Sequence, residues 1–123
     1  ISIHLPVTDE TRHLLGAEEL ALIADGAVVV NSARSLVVDS DALLCELSTG
    51  RFWAALDVFD EEPLPVEHLL RRLPNVFLTP HIAGRTLESY THLMAVVVDE
   101  LERFFSGQPL RFAVSHERLA TMA

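Results

Sequence analysis

Three polar segments of the chain carry the residue types that proton-transfer chemistry needs. Arg34, Glu62 and His81 each lie a few residues beyond a short apolar run. Arginine offers a planar fork of donors that fits a carboxylate and stays charged at any working pH. Histidine exchanges a proton near neutral pH, and a carboxylate on its second ring nitrogen fixes the orientation of the ring. Together the three side chains suit a substrate that has a carboxylate beside a carbonyl.

Each of these residues also has a structural interpretation. An arginine after a strand is often a surface charge or one half of an ion pair. Glu62 ends an acidic run, residues 60–62, of the kind that usually forms a solvated turn. His81 could be a structural histidine whose hydrogen bonds are satisfied. Residue type and spacing alone leave both interpretations open.

Two other chemistries find less support. The histidines show no HExxH spacing and there is no cysteine pair, so no metal site is predicted. Ser32 and Ser35 do not stand in a GxSxG motif, so neither is predicted to be an activated nucleophile.

The elements that would position the three segments alternate between strands and helices. Apolar runs predict strands at residues 1–5, 27–30, 54–58 and 76–78. Helical patterns occupy residues 10–23, a segment capped by Asp39 and ended by Gly50, residues 67–73 and residues 86–106. This alternation predicts an α/β fold with a doubly wound parallel sheet, in which the 27–30 strand is buried on both faces.

Parallel strands bring the segments that follow them to one edge of the sheet, where ligands bind in open α/β folds. Arg34, Glu62 and His81 are therefore expected at that carboxyl edge. The apolar stripe of the 86–106 helix predicts a packing face, against the sheet or against a second subunit.

The composition argues against several classes of partner. The net charge is −9, with 18 acidic residues against 9 basic ones, so neither nucleic acid nor a membrane surface is expected. The apolar runs are too short to cross a bilayer. Cys45 is the single cysteine and lies in an apolar helical pattern, which predicts a small buried side chain and a reducing cytoplasm. Residues 1–5 read as a strand already under way, which predicts a truncated chain.

Short motifs follow one another in register along nearly the whole chain. They are His4-Leu5-Pro6 with Thr8 and Thr11, Asp25-Gly26-Ala27 before Asn31-Ser32-Ala33-Arg34, Ala55-Leu56-Asp57-Val58-Phe59 before Glu62-Pro63, Leu73-Pro74-Asn75-Val76, and Thr79-Pro80-His81-Ile82-Ala83-Gly84. In order and spacing they are similar to the D-isomer-specific 2-hydroxyacid dehydrogenases. Ser35 departs from the pattern, because the family usually has glycine there.

The resemblance implies an NAD-dependent oxidoreductase that interconverts D-2-hydroxyacids and 2-oxoacids. It implies that Arg34 binds the substrate carboxylate and polarises its carbonyl. His81 would donate a proton as hydride arrives, and Glu62 would hydrogen-bond His81. Six residues would line the cofactor, with Asp57 near the nicotinamide carboxamide: Pro6, Thr11, Ser32, Ala33, Asp57 and Gly84. NADP stays open as the cofactor, because no GxGxxG loop follows a strand in this chain.

The resemblance also implies a domain organisation. Residues 1–106 would be the C-terminal part of a Rossmann-like NAD-binding domain, and residues 107–123 a tail that returns to a substrate domain lying upstream in sequence. The chain alone is expected to be inactive, because the upstream contacts supply binding and positioning. A cytoplasmic homodimer is expected. Two alternatives stay open: a non-catalytic, NAD-binding corepressor-like protein and an oligomerisation module on the same scaffold.

Overall fold

A computed structural model describes residues 1–119, which divide into two compact units, Ile1–Ile82 and residues 83–119. The strands are β1 (Ser2–Ile3), β2 (Val28–Asn31), β3 (Trp53–Leu56) and β4 (Val76–Leu78). The helices of the first unit are α1 (Ala17–Ala21) and α2 (Ser40–Ser48), with short 3-10 helices at Ser35–Val37 and Leu69–Arg72. The second unit contains α3 (Leu87–Phe105) and α4 (His116–Leu119).

The four strands form one parallel sheet in the order β1-β2-β3-β4. In its register Val29 lies opposite Ala54, and Ala55 lies opposite Phe77. Each parallel pair needs a crossover that returns the chain to the same end of the sheet. Helix α2 lies in the crossover between β2 and β3, so the predicted α/β alternation is confirmed.

The hydrophobic core lies on one face of this sheet. Val29 and Leu56 are buried there together with Leu20 of α1 and Leu47 of α2. Because side chains alternate along a strand, the neighbouring positions point to the other face. That face is exposed at three large residues, Val28, Trp53 and Phe77. The prediction that the 27–30 strand is buried on both faces is therefore wrong at Val28.

Helix α2 begins and ends as the sequence predicts. The side chain of Asp39 accepts a hydrogen bond from the backbone N of Ala42 at 2.9 Å, which caps the helix. Gly50 follows with a φ of 75°, a conformation that suits glycine. Asn75 then ties α2 to the sheet, because its buried amide donates to the carbonyls of Leu47 and Phe52.

Several predicted bounds are wrong. Residues 10–23 contain only the short helix α1, because His13 has a φ of 53° and the backbone N of Leu15 donates to Val37. The 54–58 strand ends at Leu56, and the 67–73 helix is the 3-10 turn Leu69–Arg72. Cys45 is exposed rather than buried. It lies two residues from the buried Leu43, which places it on the opposite side of α2.

Helix α3 matches its predicted extent. Thr86 caps it by accepting from the backbone N of Ser89, and Gly107 follows its end with a φ of 70°. None of the residues of α3 is buried, so its predicted apolar stripe is solvent-exposed. Among residues 1–119 no helix has the length and apolar composition needed to cross a membrane.

Candidate active site

The carboxyl edge of the sheet is where the three polar segments leave their strands. Arg34 follows β2, Glu62 follows β3 and His81 follows β4. These strands are parallel neighbours, so the segments all begin at the same edge.

Glu62 and His81 meet through their side chains. Oε2 of Glu62 lies 2.8 Å from Nδ1 of His81. The other carboxylate oxygen, Oε1, accepts a hydrogen bond from the backbone N of Phe59 at 3.0 Å, which holds the carboxylate in place. The His81 side chain remains 44% exposed. With Nδ1 engaged, Nε2 is the ring nitrogen that can meet a ligand.

The hydrogen bond from His81 is the main cause that lowers the pKa of Glu62 below its ordinary value of 4.5, and the backbone bond from Phe59 adds to it. The carboxylate is therefore ionised at neutral pH. An ionised carboxylate only accepts hydrogen bonds, so Nδ1 is the donor in this contact and Nε2 is left for a ligand. This arrangement is suited to general acid–base chemistry.

Asp57 joins the end of β3 to the loop that carries His81. Its side chain is buried, with 4% of the residue exposed. Oδ1 accepts hydrogen bonds from the hydroxyl of Thr79 and, at 2.9 Å, from the backbone N of Ile82. A buried carboxylate is costly without such donors. Asp57 thus contacts the loop on both sides of His81. The His81 cluster consists of His81, Glu62, Asp57 and Thr79.

Arg34 lies on a loop that Asn31 shapes. The buried amide of Asn31 donates to the carbonyl of Arg34 at 3.0 Å and accepts from the backbone N of Ala33 at 3.1 Å. The Arg34 side chain is exposed, and its Nη1 donates to the carbonyl of Ala33 at 2.8 Å. Within residues 1–119, no hydrogen bond or ion pair joins Arg34 to Glu62 or His81.

Five of the six residues expected to line a cofactor lie in the first unit, and one lies in the second. Thr11 follows β1, where its hydroxyl donates to the carbonyl of Pro6 at 2.6 Å and accepts from the backbone N of Thr8 at 2.8 Å. Gly84 belongs to the second unit, where its carbonyl accepts from the hydroxyl of Ser89 at 2.8 Å. The other members follow β2 and β3 at the carboxyl edge of the first unit: Ser32, Ala33 and Asp57.

A second charged cluster lies at the opposite, amino edge of the sheet. Arg51 precedes β3, and its Nη2 and Nε donate to Oε2 of Glu46 at 2.7 and 3.1 Å. Nη1 donates to Asp25 at 3.3 Å and to the carbonyl of Ile23, and Nη2 reaches the carbonyl of Leu20 at 3.0 Å. The bond to Glu46 is the largest cause that raises the pKa of Arg51. Arg51, Glu46 and Asp25 are named the Arg51 cluster.

Sequence reasoning does not single out Asn31 and Thr79, which both shape the site. Asn31 bonds within its own loop, and an asparagine at a strand exit is a recognisable signal for such a turn. Thr79 bonds to Asp57, which is 22 residues away. No local pattern reports a hydrogen bond over that separation.

The described part of the chain contains no group of three His, Cys, Asp or Glu side chains that could hold a metal ion. A cavity of about 230 Å³ lies beside the ends of β2 and β3, against Asn31, Val58 and His68 among others. Arg34, Glu62 and His81 do not line it.

Known proteins share these sequence features. A family model described as the D-isomer specific 2-hydroxyacid dehydrogenase, NAD binding domain, matches residues 1–83. Glyoxylate reductase of Aeropyrum pernix is 45% identical over 111 residues, covering 88% of this chain and 32% of that protein. Glyoxylate/hydroxypyruvate reductase B of Pectobacterium atrosepticum is 47% identical over 109 residues, covering 88% of this chain and 34% of that protein. The chain thus spans about a third of the length of these curated relatives.

Solved structures share the fold. The TT0316 protein of Thermus thermophilus is similar with a TM-score of 0.86 and 38% identity, over 93% of this chain and 37% of that one. A D-isomer specific 2-hydroxyacid dehydrogenase of Xanthobacter autotrophicus Py2, solved with NADPH and MES, gives a TM-score of 0.79 and 39% identity, over 95% of this chain and 48% of that one. The sheet with its following long helix is therefore Rossmann-like, as in these proteins.

The resemblance seen in the motifs is confirmed, because the family match extends from residue 1 to residue 83. That match covers more than half of the sequence, and the chain belongs to the D-isomer specific 2-hydroxyacid dehydrogenase family, in its NAD-binding domain.

Proposed function

We propose that this chain supplies the acid–base group of an NAD-dependent oxidoreductase that interconverts a 2-oxoacid and a D-2-hydroxyacid. The observation that supports this most directly is the 2.8 Å contact between Oε2 of Glu62 and Nδ1 of His81 at the carboxyl edge of the sheet. Family membership and relatives named as reductases favour catalysis over a corepressor-like or purely oligomerising role.

In the reducing direction His81 donates the proton. Nε2 of the imidazolium gives its proton to the carbonyl oxygen as negative charge develops there, and Nδ1 keeps its hydrogen bond to Glu62 as the ring becomes neutral. In the oxidising direction Nε2 removes the hydroxyl proton from the 2-hydroxyacid. Glu62 keeps the ring in one orientation in both directions.

Arg34 binds the substrate carboxylate in this proposal. A guanidinium has five N–H donors, and one of those of Arg34 donates to the carbonyl of Ala33. The remaining donors suit a carboxylate and the carbonyl beside it. The buried Asn31 supports this role, because it fixes the loop from which the exposed Arg34 extends.

The hydrogen-bonding groups at the carboxyl edge are suited to a nicotinamide. The carboxylate of Asp57 is an acceptor for the carboxamide, and Pro6, Thr11, Ser32 and Ala33 offer main-chain and hydroxyl groups near the same edge. Gly84 is proposed as a further contact. When bound, the reduced nicotinamide supplies hydride to the substrate carbonyl carbon. One related structure contains NADPH and that of a D-lactate dehydrogenase from Lactobacillus jensenii contains NAD+, so NAD is the proposed cofactor with NADP as its alternative.

A small 2-oxoacid such as glyoxylate or hydroxypyruvate is the proposed substrate, because relatives are named for these compounds. The activity is proposed for a polypeptide that also contains the glycine-rich loop and a substrate domain. Residues 1–106 would belong to its NAD-binding domain and residues 107–123 would return to the substrate domain; of that tail, residues 120–123 lie outside the described part. A homodimer in the cytoplasm is proposed, without nucleic acid or membrane partners.

The test is reduction of glyoxylate and hydroxypyruvate by the natural full-length polypeptide with NADH or NADPH. Matched aldehydes without a carboxylate should be poor substrates. Arg34→Gln should raise KM for the 2-oxoacid by about 10- to 100-fold, because a charged hydrogen-bond donor to the carboxylate is lost. Arg72→Gln is the control, since Arg72 pairs with Glu67 on the exposed surface. Equal rates with the aldehydes, or no turnover of any 2-oxoacid, would contradict the proposal.

A further inference from the structure

His81 has a backbone conformation that histidine seldom adopts. Its φ is 53°, in the left-handed region. Its backbone N donates to the carbonyl of Thr79 at 3.1 Å, so the chain turns sharply between these residues. A residue other than glycine keeps such a backbone conformation only when the surrounding structure holds it there.

Asp57 and Thr79 provide that support. The carboxylate of Asp57 accepts from the Thr79 hydroxyl before His81 and from the backbone N of Ile82 after it. Both ends of this connection are fixed in the sheet. The backbone N of Asp57 donates to Asn31 at 2.9 Å, and the backbone N of Thr79 donates to Leu56 at 3.0 Å.

We propose that Thr79 is a positioning residue for His81. Its hydroxyl and the Asp57 carboxylate form a bracket that keeps His81 in the left-handed conformation, with Nδ1 facing Glu62. Thr79 acts through this geometry and contacts neither substrate nor cofactor. The catalytic consequence of the bracket rests on the proposed function, whereas its existence does not.

Thr79 is the informative position because Asp57 has a proposed cofactor contact of its own. Thr79→Val removes the hydroxyl and keeps the branched shape of the side chain. Thr79→Ser keeps the hydroxyl and removes only a methyl group. Thr49→Val is the matched control, because the Thr49 hydroxyl donates to the carbonyl of Glu46 at the opposite edge of the sheet.

The first experiment measures amide hydrogen exchange at Ile82 and the Nδ1–H proton resonance of His81 in the natural full-length polypeptide. Thr79→Val should speed exchange at Ile82 and weaken or broaden the resonance, because the bracket has lost one of its two bonds. Thr79→Ser and Thr49→Val should retain both signals. Unchanged exchange and an unchanged resonance in Thr79→Val would overturn the bracket.

The second experiment measures kcat and KM for a 2-oxoacid and for NADH. Thr79→Val should lower kcat about tenfold, the scale of one lost hydrogen bond to a charged group, with KM for NADH little changed. Thr79→Ser should recover most of kcat. A loss of kcat shared equally by Thr79→Ser, or a rise in KM for NADH with kcat unchanged, would overturn the positioning role. An inactive wild-type protein would overturn the proposed function, and the exchange experiment would still decide on the bracket.

Discussion

The two charged clusters of the first unit lie at opposite edges of one sheet and differ in how their donors are used. In the Arg51 cluster a single guanidinium donates to Glu46, Asp25 and the carbonyls of Ile23 and Leu20. In the His81 cluster one ring nitrogen of His81 donates to Glu62, and the ring is 44% exposed.

This difference separates a structural role from a chemical one. The N–H groups of the Arg51 guanidinium donate to acceptors within the protein. They join the ends of α1 and α2 to the loop before β2. The His81 cluster positions a titratable ring, held in a strained backbone conformation, and leaves Nε2 for a ligand. Ligands bind at the carboxyl edge in open α/β folds. At that edge Nε2 of His81 is left for a ligand.

His81→Ala is the change with the largest expected effect. It should lower kcat for 2-oxoacid reduction by about 10²- to 10⁴-fold, the contribution typical of a general acid. Thermal unfolding should change little, because the ring is partly exposed and fills no core space. Steady-state kinetics and a melting curve of the full-length polypeptide check both points. His92→Ala, on the exposed surface of α3, is the control, and a near-normal kcat for His81→Ala would contradict the account.

Arg51→Ala should have the opposite profile. It removes the donor shared by Glu46, Asp25 and three backbone carbonyls, so Tm should fall by several degrees. The value of kcat measured well below Tm should stay within about twofold, because distant sites act independently. Arg72→Ala should leave Tm nearly unchanged, since its ion pair with Glu67 is exposed. A large loss of kcat in Arg51→Ala, with Tm unchanged, would contradict the structural role of the Arg51 cluster.

Glu62→Gln should have a small effect on stability, and that effect should depend on pH. The pKa of Glu62 is lower in the folded chain because His81 and Phe59 donate to it. Its carboxylate therefore stabilises the folded state above the unfolded pKa, and that stabilisation is lost as the pH falls through the folded pKa. Urea unfolding should show a deficit in Glu62→Gln at pH 7 that shrinks as the pH is lowered below the ordinary pKa of 4.5. A deficit of constant size across this pH range, or one shared by the neighbouring Glu61→Gln, would count against the pair.

The sequence predicts the sheet better than it predicts the loops. Short β-branched and apolar runs indicate β2, β3 and β4, since such runs are stable chiefly as buried parallel strands. Asp39 and Gly50 mark the ends of α2 because helix caps are local chemistry. The pattern of residues 10–23 predicts one helix, and that prediction is wrong. His13 lies in the left-handed region and the backbone N of Leu15 donates to Val37, which interrupts an otherwise helical pattern.

The candidate site is likewise only partly predictable from the sequence. Topology accounts for Arg34, Glu62 and His81 leaving neighbouring strands at one edge, and the family motifs single them out. Neither reports the bond between Thr79 and Asp57, which depends on the register of β3 against β4. Cys45 shows the converse case, because its apolar surroundings in the sequence predict burial while its angular position on α2 leaves it exposed.

The most direct test of the Glu62–His81 pair is ring ¹⁵N NMR of His81 in the natural full-length polypeptide. Loss of one signal set in His81→Gln assigns the ring among the six histidines of the chain. Because the 2.8 Å contact makes Nδ1 the donor to the Glu62 carboxylate, the neutral ring is expected to carry its proton on Nδ1 and none on Nε2. A neutral ring with its proton on Nε2 would contradict this arrangement.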